Sequence, residues 1–140
     1  MNANRMSFEL NPPVVATPVL VIEDEPSVMA FVQAALERAG YAVVPAGSGA
    51  EALVLLAQQR PFLGVVSDMR TPGGVDGADV HNWISDNRPE LLSRVIFITG
   101  DIVSEETAAT LRRTGAACLE KPFRVQQFLA VVSQVIGEPQ

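Results

Sequence analysis

The sequence predicts an α/β protein in which helices cover both faces of a five-stranded parallel sheet. Two observations support this fold class. Short apolar runs recur along the chain, as is typical of buried parallel strands. Longer segments with apolar residues at helical spacing lie between these runs. Regular alternation of strand and helix favours a parallel sheet with right-handed crossovers, and therefore helices on both sides.

Five segments have the length and apolar character of strands. In chain order they cover residues 19–22, 42–46, 64–67, 95–98 and 117–120. The first and third are the most informative, because each runs directly into carboxylates. Glu23 and Asp24 follow the first strand, and Asp68 follows the third.

Helix signals follow the first two strands. Pro26 suits the first turn of a helix, and Gly40 marks the end of that helix. Ser48 and Glu51 form the capping-box pattern that opens the second helix, which Pro61 ends.

Three further helices complete the alternation. A loop rich in Gly and Pro, residues 68–77, leads into a helix that ends by Pro89. The fourth helix begins at Ser104 with an acidic first turn, which favours the helix dipole. In the fifth helix, residues 125–136 form one apolar face.

Length and composition are those of one globular domain. The chain has 140 residues, of which 48% are hydrophobic and 19% are charged. We expect the domain to cover residues 18–137, with an N-terminal tail or linker at 1–17 and a C-terminal tail at 138–140. Asn11 to Pro13 and Thr17-Pro18 give the first segment its irregular character.

Composition also excludes several classes of protein. No apolar stretch approaches the roughly 18 residues that span a bilayer, and the N-terminus lacks the pattern of a signal peptide, so we expect a cytoplasmic protein with no membrane contact. The net charge of −6 without a basic run argues against direct nucleic-acid binding. Cys118 is the single cysteine, which excludes an internal disulfide.

Polar residues at the carboxyl ends of the strands are the candidate site. They are Glu23, Asp24, Asp68, Thr99 and Lys121, the last being the only lysine. Two carboxylates about 4 Å apart repel by roughly 4 kcal/mol at an effective dielectric constant of 20, so converging acids need positive charge. Mg²⁺ and one ammonium group would provide it. Such an arrangement suits phosphoryl transfer, with Asp68 as nucleophile.

These residues and their neighbours resemble the receiver domain of two-component response regulators. The matching motifs, in family order, are Glu23-Asp24, Ser67-Asp68-Met69-Arg70-Thr71-Pro72-Gly73, Thr99-Gly100 and Lys121-Pro122-Phe123. The resemblance covers roughly residues 19–136. It implies a flavodoxin-like (βα)5 fold, a three-layer sandwich with strand order 2-1-3-4-5.

The resemblance also implies a role for each site residue. Asp68 accepts a phosphoryl group, while Asp24, Asp68 and the Arg70 backbone carbonyl bind Mg²⁺ (or Mn²⁺), with Glu23 acting directly or through water. Lys121 pairs with the phosphoryl group, and the Thr99 hydroxyl forms a hydrogen bond with it. The Lys121-Pro122 peptide bond is expected to be cis.

The implied partners are a histidine kinase or a histidine phosphotransfer protein, and a downstream protein target. A homodimer through the 104–136 face is a further expectation. The chain is either a stand-alone regulator or the receiver of a hybrid histidine kinase, an option favoured by residues 8–13. As a receiver it is a phosphoacceptor signalling domain and not an enzyme, beyond catalysing its own phosphorylation and dephosphorylation.

Two other functions compete with this one. An aspartate-nucleophile phosphatase would have a second Asp two residues after Asp68, where this chain has Arg70. A pseudo-receiver that binds partners without phosphorylation remains the alternative. It is favoured by Cys118, which stands where the family often has a switching Tyr or Phe.

Several residues near the site receive ordinary interpretations. We expect Asp76 and Asp79 to cap a helix, His81 to lie exposed on that helix, and Cys118 to act as a small buried hydrophobe. Arg70 and Asp101, each two positions beyond a site residue, are predicted to form a pair that partly covers the phosphoryl group.

Overall fold

The structure, a computed structural model, describes residues 16–70, 73–100 and 104–140. Strands and helices alternate along these ranges. The strands are β1 (Val19–Ile22), β2 (Val43–Ala46), β3 (Gly64–Asp68), β4 (Val95–Thr99) and β5 (Ala117–Glu120). The helices are α1 (Pro26–Arg38), α2 (Gly49–Ala57), α3 (Gly77–Asn87), α4 (Glu105–Thr114) and α5 (Val125–Val135), with a 3₁₀-helix at Pro89–Arg94.

The strands form one parallel sheet in the order β2-β1-β3-β4-β5, which confirms the predicted fold class. Every residue of β1 and β4 is buried, as are the first four of β3. These are the inner strands, covered on both faces, so their sequences are continuously apolar. The two edge strands, β2 and β5, are more exposed.

The edge strand β2 contains a proline. The backbone N–H groups of Val19 and Glu23 donate to the carbonyls of Ala42 and Ala46, at 2.8 and 3.0 Å. The backbone N–H and C=O groups of residues 42, 44 and 46 therefore point toward β1, and the backbone nitrogen and C=O of Pro45 point away from it. A proline is tolerated there because its missing N–H removes no bond from the ladder.

Apolar side chains from the helices pack on both faces of the sheet. On one face α1 and α5 contribute Val32, Leu36, Phe128 and Val132, and on the other α2 and α3 contribute Ala52, Leu56, Val80 and Ile84. Full burial of a Val, Leu, Ile or Phe side chain contributes about 1.5–3 kcal/mol. The two half-cores hold the sheet in place, and with it the strand ends that carry the candidate site.

Side-chain caps fix where two of these helices begin. Ser48 Oγ accepts a hydrogen bond from the Glu51 backbone N–H at 3.1 Å, which is one half of the predicted capping box. The Glu51 carboxylate accepts from the Gly47 N–H at 2.7 Å instead of from the Ser48 N–H that the pattern predicts. Asp76 and Asp79 form a reciprocal capping box at the start of α3, with bonds of 3.0 and 3.1 Å. The prediction that these two acids cap a helix is confirmed.

The prediction that His81 lies exposed on α3 is wrong. The residue is only 6% exposed, and the centroid of its ring lies 5.9 Å from that of Phe97 on β4. Burial lowers the pKa of His81 below its usual value of 6.5, and the positive charge of Arg113 lowers it further. Nε2 of this imidazole has no hydrogen-bond partner among the described residues.

Other differences from the predicted elements are small. The 3₁₀-helix Pro89–Arg94 was not predicted, because its six residues are too few to show helical periodicity. Both β3 and β4 extend one residue beyond the predicted ends, so Asp68 and Thr99 are the last residues of their strands. No helix in the described ranges has the length and apolar character to cross a bilayer.

Candidate functional site

Four strands bring the predicted site residues to one edge of the sheet. β1 and β3 are neighbours, and Ile22 pairs with Ser67 in their register. Glu23 and Asp68, which follow these two residues, therefore lie side by side. β4 ends at Thr99, whose carbonyl accepts a hydrogen bond from the Lys121 N–H at 2.8 Å.

Glu23 is the most buried carboxylate of the site. The residue is only 4% exposed, and its own backbone N–H continues the sheet by donating to Ala46. Its Oε2 accepts a hydrogen bond from the Glu25 N–H at 3.1 Å, which fixes the acidic turn after β1. Burial raises the pKa of Glu23 above its usual value, and the neighbouring Asp68 charge also raises it, while the Glu25 N–H and Lys121 act in the opposite direction.

Lys121 bridges two of the carboxylates. Its Nζ lies 3.3 Å from Asp68 Oδ2 and 3.4 Å from Glu23 Oε1. Burial by itself lowers the pKa of Lys121, but the charges of Asp68 and Glu23 together outweigh burial, and the net pKa is raised. The ammonium therefore stays charged and offsets part of the repulsion between the acids. The peptide bond from Lys121 to Pro122 is cis, as expected.

Glu23, Asp24 and Asp68 form a cluster whose carboxylate oxygens lie within 4.8 Å of one another. Oxygens bound to one Mg²⁺ at 2.0–2.1 Å are at most about 4.2 Å apart, so only a small inward movement would let these three share an ion. Carboxylates are also the ligands that Mg²⁺ prefers. The residues present therefore fit a hard divalent cation.

A single ammonium leaves this cluster short of positive charge. Three carboxylates within 4.8 Å make three repulsive pairs, each worth roughly 4 kcal/mol at 4 Å and an effective dielectric constant of 20. Asp24 is exposed, so water screens its repulsion with the other two carboxylates. Asp68 and Glu23 are largely shielded, with side chains 12% and 3% exposed, and they gain most from an added cation.

Thr99 is buried at the end of β4, with 2% of its surface exposed. The Thr99 carbonyl bonds the Lys121 N–H, so this bond ties the residue to the end of β5. Cys118, three positions before Lys121, is half-buried, and burial raises the pKa of its thiol. Its side chain packs with the core on the α2 and α3 face.

Arg70 connects the Asp68 loop to α4. Its backbone N–H is 3.3 Å from Asp68 Oδ1, and its guanidinium Nη2 lies 2.8 Å from Glu106 Oε1 and 3.4 Å from Ser104 Oγ. The predicted partner, Asp101, lies outside the described residues. Glu106 was missed because it is 36 positions from Arg70, and only its place in the acidic first turn of α4 marks it in the sequence.

A family model for the response regulator receiver domain matches residues 19–133 of this chain. This chain belongs to that family. As a receiver domain it is a signalling domain of two-component systems. Domains of this family interact with histidine kinases or phosphotransfer proteins.

Curated relatives of this receiver domain differ widely in length. The probable transcriptional regulatory protein TcrX of Mycobacterium tuberculosis is 32% identical over 109 residues, which are 78% of this chain and 45% of TcrX. The nitrogen assimilation regulatory protein NtrX of Azorhizobium caulinodans is 28% identical over 87% of this chain but only 26% of NtrX. The polar-differentiation response regulator DivK of Brucella ovis is 26% identical over 86% of this chain and 96% of DivK.

Solved receiver structures confirm the flavodoxin-like fold. The chemotaxis protein CheY4 of Vibrio cholerae is 27% identical, with a TM-score of 0.74 over 86% of this chain and 99% of that chain. A response regulator receiver protein of Sinorhizobium medicae is 28% identical, with a TM-score of 0.75 over 86% and 94%. The receiver domain of sensor histidine kinase PA1611 of Pseudomonas aeruginosa has a magnesium ion coordinated in its active site cleft. It is 22% identical, with a TM-score of 0.76 over 89% and 100%.

Proposed function

We propose that this receiver domain accepts a phosphoryl group from a phosphohistidine onto Asp68 in a phosphorelay, and thereby switches its protein contacts. The observation that carries the proposal is the convergence of Asp68, Lys121 and the two acids after β1 at one end of the sheet. Asp68 is 12% exposed and bonded to an ammonium, so it is shielded yet reachable.

Each residue would act through its position. An Asp68 carboxylate oxygen attacks the phosphorus, a P–O bond forms, and the P–N bond to the donor imidazole breaks. Lys121, already 3.3 Å from Asp68, would bind a phosphoryl oxygen. The Thr99 hydroxyl would hydrogen-bond to the group once it is in place.

Asp24, Asp68 and the Arg70 carbonyl would hold Mg²⁺ or Mn²⁺, with Glu23 as a direct or water-mediated ligand. Such a cation neutralises charge on the transferring phosphoryl oxygens when it is bound. Direct binding by Glu23 would compete with two existing contacts, because its Oε1 and Oε2 already interact with Lys121 and the Glu25 N–H.

Phosphorylation changes the charge at Asp68 enough to act as a switch. A phosphoryl group carries about −1.5 to −2 charges and three acceptor oxygens at neutral pH. Inverting a 1:99 population requires about 5.5 kcal/mol of differential stabilisation. A few charge-assisted hydrogen bonds to Lys121 and Thr99 supply a large part of that.

The partners follow from the family. A histidine kinase or histidine phosphotransfer protein would donate the phosphoryl group, and a downstream protein would bind the switched surface. The domain limits 18–137, the cytoplasmic location and a homodimer through the 104–136 face stay predictions. The segment at residues 8–13 that favours a hybrid kinase lies outside the described residues.

Intact-mass measurement after incubation with a small acyl phosphate and Mg²⁺ tests the proposal. We expect a gain of one phosphoryl group in the wild type and none in Asp68→Asn. Omission of Mg²⁺, or the Asp24→Asn variant, should reduce the gain strongly. If the wild type gains no mass under conditions that phosphorylate a known receiver, the pseudo-receiver function favoured by Cys118 replaces this one.

A further inference from the structure

The helix α4 is weakly attached to the rest of the domain. Thr107 is its only buried residue, whereas α1 and α2 each bury three and α3 buries four. Thr107 Oγ1 is itself buried with no hydrogen-bond partner among the described residues. Helices with few buried apolar side chains open and shift at low free-energy cost. Polar side-chain contacts therefore contribute a larger part of the attachment of α4 than they do for helices that bury more residues.

In the part of the chain that the structure describes, two arginines make such contacts, one at each end of α4. At the C-terminal end, Arg113 Nη1 donates to Asn82 Oδ1 on α3 at 2.9 Å. At the N-terminal end, the Arg70 guanidinium is 2.8 Å from Glu106 and 3.4 Å from Ser104, the residue that caps the helix. We call the Arg70–Glu106 ion pair the latch.

The latch connects the phosphoacceptor loop to the first turn of α4. The Arg70 backbone N–H lies 3.3 Å from Asp68 Oδ1, so the start of this long side chain is fixed beside the acceptor carboxylate. Behind the latch is a cavity of only about 20 Å³, lined by Met69, Asp76 and Thr110 among others. The loop and the helix are thus in close contact, with the latch at the solvent-exposed rim.

We propose that Arg70 is a regulatory residue that exchanges partners, leaving Glu106 for the phosphoryl group on Asp68 and thereby releasing the first turn of α4. This inference rests on the proposed phosphorylation of Asp68. The exchange is favourable because the latch is a solvent-exposed pair, with side chains 54% and 77% exposed, and such pairs contribute little. A phosphoryl group carries more negative charge than the Glu106 carboxylate and has three acceptor oxygens. Two of these can accept parallel hydrogen bonds from the guanidinium N–H groups.

The latch predicts a specific effect on phosphoryl lifetime. Hydrolysis requires water to attack the phosphorus, which breaks the P–O bond to Asp68 and yields inorganic phosphate and a free carboxylate. A guanidinium on the phosphoryl oxygens covers part of that approach. Removing the charge of Glu106 frees Arg70 for this role, and removing Arg70 abolishes it.

The test compares Glu106→Gln with Glu105→Gln after phosphorylation by a small acyl phosphate and removal of the donor. Glu105 is the matched control, because it forms an exposed ion pair with Arg112, at 3.2 Å, on the same helix. We expect Glu106→Gln to lengthen the phosphoryl lifetime by up to about fivefold, the fold change that corresponds to the loss of one exposed ion pair, and Glu105→Gln to leave it unchanged. Arg70→Ala should shorten it, and the double variant should behave like Arg70→Ala.

Hydrogen exchange of residues 104–114 provides the second readout. Unphosphorylated Glu106→Gln and Arg70→Ala should exchange faster at the start of α4 than the wild type. Phosphorylation should then increase the exchange rate less in either variant than it does in the wild type. Equal lifetimes and equal exchange in Glu106→Gln and Glu105→Gln would overturn the partner exchange while leaving Asp68 phosphorylation intact. Absence of any Asp68-dependent mass gain would instead overturn the proposed function.

Discussion

Gly77 lies against the backbone of Asp68, so closely that a Cβ added at position 77 would be 2.7 Å from the Asp68 carbonyl oxygen. The same added atom would be 3.0 Å from the Phe97 ring. The Gly77 N–H also donates to the Met69 carbonyl at 3.0 Å. The start of α3 is thus packed directly under the phosphoacceptor loop.

Gly77→Ala should therefore displace this loop. We expect a loss of about 1–3 kcal/mol in unfolding free energy, as for other overpacked sites, together with weaker Mg²⁺-dependent mass gain at Asp68. Chemical denaturation and intact-mass measurement check the two effects. Gly47→Ala is the control, because among the described residues its added Cβ would meet only the Glu51 side chain, at 3.6 Å. Equal stability of the two variants would contradict the prediction.

The capping box of α3 gives a second prediction. Asp76→Ala removes the acceptor for the Asp79 N–H and should cost about 0.5–2 kcal/mol of unfolding free energy. Asp86→Ala is the matched control, since Asp86 is an exposed acid in the last turn of the same helix, where the dipole disfavours it. Thermal and chemical denaturation should show Asp86→Ala at or slightly above the wild-type stability.

His81 predicts a dependence of stability on pH. The unfolded chain binds a proton at His81 near pH 6.5, whereas the folded chain, whose His81 pKa is lowered, binds it only at lower pH. Unfolding therefore takes up a proton as pH falls below about 6.5, and the folded state loses stability there. Above that pH the imidazole is neutral in both states and this effect vanishes.

Denaturation curves of the wild type and His81→Phe at about pH 7.5 and about pH 5.5 isolate the contribution of the imidazole. The wild type should lose more stability than the variant on acidification. His81→Gln, a second neutral variant, should follow His81→Phe in its pH dependence. Parallel losses in all three proteins would show that His81 does not titrate in this range.

Lys121 predicts how the domain responds to magnesium. Replacement by Met leaves Asp68 and Glu23 without their shared ammonium, at 3.3 and 3.4 Å in the wild type. We expect Lys121→Met to melt at lower temperature than the wild type without metal, and to gain more thermal stability on addition of Mg²⁺, because the cation then takes over charge compensation. Asp24→Asn should show a smaller gain than the wild type. A larger magnesium effect in Asp24→Asn than in Lys121→Met would contradict this account.

Much of the fold was predictable because a strand that is buried on both faces of a sheet has a continuously apolar sequence, which can be recognised locally. The inner strands β1 and β4 are entirely buried, and their runs of apolar residues show it directly. The candidate site was predictable for a related reason. In a parallel sheet the residues after several strands meet at one edge, so the sequence alone places the acids that follow β1 beside Asp68 at the end of β3.

What the sequence did not reveal depends on contacts between distant segments. His81 is polar and Asn82 follows it, so the sequence suggests an exposed position. Its burial depends on the face of α3 that meets Phe97 on β4. The partner of Arg70 depends on the reach of a long side chain between two distant segments. The position of Glu106 in the acidic first turn of α4 does not by itself identify it as that partner. The close approach of Gly77 to Asp68 likewise depends on how α3 lies beneath the loop.

The proline of the edge strand β2 also affects how the domain behaves in concentrated solution. Because position 45 points away from β1, the outer edge of β2 lacks one of its two backbone donors, and Val43 carries the other. An incoming strand from another molecule cannot complete a regular ladder on such an edge. Pro45 thus makes this side of the sheet a poor template for strand-by-strand self-association.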